Sequence, residues 1–196
     1  MTESAEDRKI ADLEREIHEK QAELARLRRE APPMPLEDYT LRGPAGARVR
    51  LSEVFGEHRD LIVIHNMGSS CPYCTLWADG FNGIVSHLEN RAAFVLVSPD
   101  SPVTQAAFAE QRGWKFRMLS NGDSGFTEDM GFLREGSDGK MRPAPGVSTF
   151  RKDDDGSLTR IAHADFGPGD PFCGAWHVFS LLDGGAGEWA PRSVYS

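Results

Sequence analysis

Cys71-Pro72-Tyr73-Cys74 holds two sulfurs at the spacing of one helical turn. At that spacing one thiolate can attack a disulfide and the second can release the adduct. The tetrapeptide follows the aliphatic run Leu61-Ile62-Val63-Ile64-His65 through a small-residue loop, Met67-Gly68-Ser69-Ser70. It opens a segment, reaching to about Asn90, that reads as a helix. A helix start presents unpaired amides and roughly half a positive charge, which favours thiolate over thiol. Pro72 suits the first turn, where its missing N–H does no harm. Cys71 is therefore the expected nucleophile and Cys74 the expected resolving thiol.

The same sulfurs admit a second chemistry. Cys173 and His177 lie four residues apart in Pro171 to Leu182, which reads as a closing helix, so their side chains would share a face. With Cys71 and Cys74 they make a Cys3His set, the ligand type of a zinc site. The simpler expectation for Cys173 is a small buried residue beside Phe172, Trp176 and Phe179.

Other side chains near the dithiol carry paired expectations. Trp77 and Phe81, one turn apart, predict a packed helix face, with a hydrophobic platform beside the sulfurs as the alternative. Tyr73 should be exposed between the cysteines. Asp79 is either a proton acceptor for Cys74 or a solvated or capping residue. His65 either tunes the thiolate or is a hydrogen-bonded structural histidine.

The elements that must position these groups follow from periodicity. Residues 4 to 30 predict one helix, with Ser4 and Asp7 as a capping box and Glu16–Lys20 as an ion pair. Ile10, Leu13, Ile17, Leu24 and Leu27 fall on alternating a and d positions, interrupted by Lys20. Such a helix either dimerises as a coiled coil or folds back onto its own domain. Ala31-Pro32-Pro33-Met34-Pro35 ends it, which divides the chain into an amphipathic helix with a proline-rich linker, 1–35, and one folded domain, 36–196.

Tyr39–Arg42 and Arg48–Leu51 alternate as short strands about the turn Gly43-Pro44-Ala45-Gly46. Leu61–His65 and Ala93–Ser98 are buried strands. Pro102 to Arg112 is helical and stops at Gly113, and Phe116–Leu119 is another strand. Residues 120–146, rich in Gly, Ser and Asp, predict loop with one helical turn near Thr127 to Leu133. Val147–Arg151 and Leu158–His163 flank Asp153-Asp154-Asp155-Gly156 as a hairpin. The order implies an α/β domain: a central mixed sheet, parallel in its core, with helices on both faces.

Composition narrows the partners. A net charge of −8 argues against a nucleic-acid or anionic-membrane surface. The aliphatic runs are too short to span a bilayer. The acidic start, Met1 to Asp7, lacks an apolar core, so no secretory leader and a cytoplasmic setting are expected. There three cysteines should rest mostly reduced. No cofactor is called for.

The residues also resemble a known group. Tyr39 to Cys74, Asp100-Ser101-Pro102 through Glu110, Trp114-Lys115-Phe116 and Val147-Ser148-Thr149-Phe150 are similar to the thioredoxin-like alkyl hydroperoxide reductase and thiol-specific antioxidant superfamily. The Arg-rich helix end, Leu24 to Glu30, the C-P-x-C and the run Trp77-Ala78-Asp79-Gly80-Phe81-Asn82-Gly83 are similar to a bacterial thioredoxin-like family, domain of unknown function 899. The resemblance implies a thioredoxin-like, peroxiredoxin-like fold and a dithiol–disulfide oxidoreductase. It implies a thiol or disulfide substrate and an external reductant of thioredoxin or glutathione type. Ser148 and Thr149 would line the site, with Ser148 where thioredoxins place a cis-proline; a trans bond is expected there. Gly68 stands where peroxiredoxins carry a threonine or serine, which counts against an efficient peroxidase. A thiol peroxidase using Cys71 remains the alternative enzyme, and a zinc-binding or redox-sensing adaptor the alternative class.

Overall fold

The computed structural model describes residues 4–195; Met1–Glu3, part of the acidic start, and Ser196 lie outside the described residues. Helix α1 spans Ala5–Glu30. Ser4 and Asp7 close the expected capping box, each side chain accepting the other's N–H at 3.0 Å. Lys20 pairs with Glu23 at 2.9 Å rather than with Glu16; the two carboxylates lie on opposite sides of Lys20 along the helix, three residues after it and four before it. No residue of α1 is buried. Only its last turns, where Ala25 and Arg28 are half-buried, meet the domain, so α1 does not fold back onto its own core.

Among the described residues ten strands follow in chain order: β1 (Met34–Leu36), β2 (Thr40–Arg42), β3 (Arg48–Arg50), β4 (Asp60–His65), β5 (Ala93–Ser98), β6 (Arg117–Ser120), β7 (Leu133–Glu135), β8 (Met141–Pro143), β9 (Gly146–Lys152) and β10 (Leu158–Asp165). Eight form one sheet in the order β1-β10-β9-β4-β5-β6-β2-β3. β4, β5 and β6 run parallel and the remaining pairs are antiparallel. The proline-rich stretch after α1 contains an edge strand, β1, which tolerates Pro35 because an edge leaves one row of donors unpaired. The region read as loop contains the small hairpin β7–β8. Its strands bury little and carry Arg134, Glu135 and Arg142, so no apolar alternation announces them.

Helices cover both faces. Helix α3 (Pro72–Arg91) and α4 (Pro102–Arg112) pack with Ile64, Phe94, Leu96, Trp114 and Phe116 on one side. Helix α2 (Leu51–Val54) and α5 (Phe126–Asp129) close the other over Leu61, Val63, Val95, Val97 and Phe150. Each fully buried Phe or Leu there contributes about 1.5–3 kcal/mol. The strand period of two divides β4 cleanly: Ile62 and Ile64 face α3, while Leu61 and Val63 face α5. The closing helix, α6, runs only from Gly174 to Phe179, shorter than Pro171 to Leu182. Gly184 and Gly185, both at positive φ, end the turns that follow it.

Candidate active site

The two parallel strands β4 and β5 end at the same sheet edge, where ligand crevices form in open α/β sheets. The loop from Asn66 to Ser70 leaves β4 there, and three hydrogen bonds shape it. Asn66 N–H donates to the Val97 carbonyl at 2.9 Å. The Asn66 side-chain oxygen accepts from Gly68 N–H at 2.7 Å. Asp100, just past β5, accepts from Ser69 N–H at 2.7 Å. Gly68 has φ +105°, and a Cβ there would meet the Asp100 carboxylate at 3.0 Å. Glycine is required twice over, by conformation and by space.

The loop delivers Cys71 as the N-cap of α3, with Pro72 at the first helical position. Cys71 Sγ accepts from the backbone N–H of Cys74 at 3.2 Å. Cys74 Sγ accepts from Met67 N–H at 3.4 Å. Thr75 Oγ1 ties the turn to the Cys71 carbonyl at 3.0 Å. Both cysteines are free thiols, Cys71 half-buried and Cys74 buried. A hydrogen bond from the Cys74 thiol, followed by the backbone N–H groups of Cys74 and Tyr73, outweighs burial and brings the Cys71 thiol down to about 6. The same hydrogen bond, together with burial, pushes Cys74 upward. One sulfur is thus ionised near neutral pH and the other kept protonated, the asymmetry that stepwise exchange needs.

Aromatic groups wall the dithiol. Tyr73 is half-buried rather than exposed, because Trp176 of α6 stacks on it with ring centroids 6.3 Å apart. Trp77 is buried against Phe166, and its indole N–H donates to Asp170 at 3.0 Å. Asp170 also accepts the backbone N–H groups of Gly167, Phe172 and Cys173 at 2.7–3.1 Å. A single carboxylate thereby pins the segment after β10 onto the dithiol helix.

One expectation is corrected, that for Ser148, and the structure decides the places of His65, Thr149 and Asp79. Ser148 is fully buried on the opposite sheet face, where its hydroxyl meets His65 Nε2 at 2.9 Å, because strand parity turns it away from α3. His65 belongs to that same cluster, stacked on Phe132 at 3.9 Å, and burial holds its imidazole down to about 3; it is structural. Thr149 does lie on the α3 face of β9, but its hydroxyl reaches back to the Ala162 carbonyl at 3.5 Å. Asp79 is no acceptor for Cys74: it binds Arg112 and accepts Trp114 Nε1–H at 2.8 Å.

The Cys3His set is not assembled. His177 spends Nε2 on the Asp170 carbonyl at 2.9 Å, and Cys173 is the N-cap of α6 with its thiol pushed up by burial. Among the described residues no three His, Cys, Asp or Glu side chains group as a metal site. Every peptide bond among the described residues is trans, including that before Ser148. No helix among the described residues is long and apolar enough to cross a membrane. Asn66, Asp100 and Asp170 are the positioning residues that sequence reasoning missed. The one available signal was Asp100, placed just past the end of a buried parallel strand.

Comparison with known proteins identifies the family and the fold. A family described as "Bacterial protein of unknown function (DUF899)" matches residues 3–193. Among solved structures, the peroxidoxin BcpB of Mycobacterium tuberculosis is 26% identical with a TM-score of 0.54, covering 68% of this chain and 84% of that chain. Reduced Prx3 of Vibrio vulnificus, in complex with hydrogen peroxide, is 18% identical with a TM-score of 0.55, covering 70% and 88%. A cysteine mutant of Xanthomonas campestris peroxiredoxin Q is 22% identical with a TM-score of 0.51, covering 64% and 79%. No curated protein matches the chain. The fold is thioredoxin-like, of the peroxiredoxin-like kind, with a long N-terminal helix added.

Proposed function

The chain belongs to the bacterial family DUF899, and from its dithiol geometry we propose that it is a dithiol–disulfide oxidoreductase. The observation that carries this reading is the placement of two free thiols at one helix start, where Cys71 Sγ accepts the Cys74 N–H at 3.2 Å and Cys74 Sγ accepts the Met67 N–H at 3.4 Å. Cys71 thiolate attacks one sulfur of a substrate disulfide; the S–S bond breaks and the second substrate sulfur leaves as thiolate. Cys74 loses its proton to that leaving thiolate or to water and attacks Cys71 Sγ. An intramolecular disulfide forms and the first substrate sulfur is released. The substrate gains two electrons, the enzyme disulfide holds the deficit, and an external reductant, one dithiol of thioredoxin type or two thiols of glutathione type, restores it. The half-exposed rings of Tyr73 and Trp176 serve as an apolar docking edge, and a reducing cytoplasm is the compartment in which the cycle runs.

Insulin reduction by the purified protein tests the reading, with Cys71→Ser and Cys74→Ser beside it. Turnover is expected in the wild type alone, with a trapped mixed disulfide in Cys74→Ser only. Equal turnover in all three proteins would refute it.

The peroxidoxin and peroxiredoxin neighbours favour a second reading on the same sulfurs. Cys71 thiolate attacks a peroxide oxygen, the O–O bond breaks, and water or an alcohol leaves. Cys74 then attacks the Cys71 sulfenate, expelling water as the disulfide forms. Rapid sulfenate formation on Cys74→Ser after peroxide addition distinguishes the two, since disulfide exchange alone gives none.

A further inference from the structure

Ile10, Leu13, Ile17, Leu24 and Leu27 each remain between 46% and 58% exposed on a 26-residue helix with no buried residue. They recur in alternating steps of three and four, the a and d positions of three heptads. Five large aliphatic side chains along one line of an otherwise charged helix form an apolar seam, too narrow for the core-facing side of a globular helix and suited to another helix.

The flanking charges say which helix. With Ile10 at a, the g positions are Lys9, Glu16 and Glu23, and the e positions are Glu14, Gln21 and Arg28. In two parallel, in-register copies each g residue faces the e residue five further along the other chain. Lys9 then meets the second copy's Glu14, Glu23 meets its Arg28, and Glu16 meets its Gln21: two attractions, one neutral pair and no repulsion. In an antiparallel pair g faces g, and Glu16 meets the second copy's Glu23. Lys20, the one polar d residue, already bonds Glu23 of its own helix at 2.9 Å. A single polar core layer lowers the stability of such a pair and helps specify its register and strand number.

We propose that α1 pairs with α1 of a second copy of this chain as a parallel two-stranded coiled coil. The paired helices carry the two dithiol domains side by side at their C-terminal ends. This proposal is independent of the redox reading: its variants leave both cysteines untouched.

Sedimentation equilibrium over a wide concentration range tests it, with far-UV circular dichroism on every variant to show that the domain is folded. The wild type is expected to be a dimer in equilibrium with monomer, and Leu13→Glu a monomer. Glu23→Arg places like charges at two symmetric sites and should weaken the dimer roughly tenfold. Adding Arg28→Glu to it should restore the dimer. A wild type that stays monomeric at the highest concentration overturns the proposal. So does a dimer indifferent to Leu13→Glu, or one tightened by Glu23→Arg, which would be antiparallel.

Discussion

The backbone N–H of Cys74 points at the sulfur of Cys71, 3.2 Å away, while its own thiol reaches toward the same sulfur. Cys74 thus stabilises the thiolate at Cys71 by two donors before any chemistry occurs, and its own proton is held in return. The local cause is the helix start: Cys71 takes the N-cap role that a serine or aspartate usually fills.

Alkylation of Cys71 by iodoacetamide should rise through an inflection at about pH 6. Cys74→Ala removes the side-chain donor and should move the inflection up toward the ordinary thiol value of 9.0, whereas Cys74→Ser, which keeps a hydroxyl donor, should move it less. For stability the sign follows from proton counting. Between about 6 and 9.0 the unfolded chain holds the extra proton, so the reduced protein gains stability as pH rises across that window and loses it as pH falls through 6. A single inflection above pH 8 in the wild type would sink the thiolate assignment.

Gly68→Ala should both destabilise the fold and slow Cys71. The new Cβ sits at φ +105° against the Asp100 carboxylate, and a strained position of this kind costs about 1–3 kcal/mol. Thermal melting measures the loss, and iodoacetamide rates at fixed pH measure the displaced thiolate. An unchanged melt and rate would mean that the loop does not position Cys71.

Asp170→Ala strands four donors at once: the Trp77 indole N–H and the N–H groups of Gly167, Phe172 and Cys173. A loss of about 3 kcal/mol is expected, since each unpaired, partly buried donor carries its desolvation cost. In a chain of this size that lowers the melting temperature by roughly 6–12 °C. Trp77 fluorescence should shift as its indole N–H loses its partner. Asp170→Asn, which keeps an acceptor oxygen, should retain much of the stability.

His65 predicts an acid-sensitive fold. Burial holds the folded imidazole near 3, below its ordinary 6.5, so the unfolded chain binds the extra proton between those values. Stability therefore rises with pH across that window and is lost as pH falls from 6.5 toward 3. His65→Gln removes the titration while leaving a polar partner for Ser148, 2.9 Å away in the native pair. Urea unfolding midpoints at pH 7 and pH 4 should differ less in this variant than in the wild type, and an equal difference would contradict the argument.

Much of the scaffold was legible because it rests on local rules. The Ser4–Asp7 box, the αL glycine Gly113 and the proline at the head of α4 end or begin helices through their own backbone chemistry. The aliphatic runs of β4 and β5 mark central parallel strands because both their faces must be covered. The dithiol was legible for the same reason: strand, small-residue loop, C-x-x-C and helix occupy one contiguous stretch. Strands β7 and β8 were not, since two three-residue, half-exposed strands carry no periodic signal.

By itself, then, the chain order of residues 61–90 determined that two sulfurs would meet an amide-rich helix start, and the heptad spacing of α1 determined a seam. Only the tertiary structure decided what surrounds them. Ser148 left the site because the pairing of β9 with β4 places it opposite Val63, on the far face. Asp100 and Asp170 entered it from 29 and 99 residues away in sequence, because β5 ends beside β4 and the segment after β10 returns over α3. Local chemistry acts over one turn or one hairpin; hydrogen bonds between distant carboxylates and loop amides exist only once the sheet has set its register.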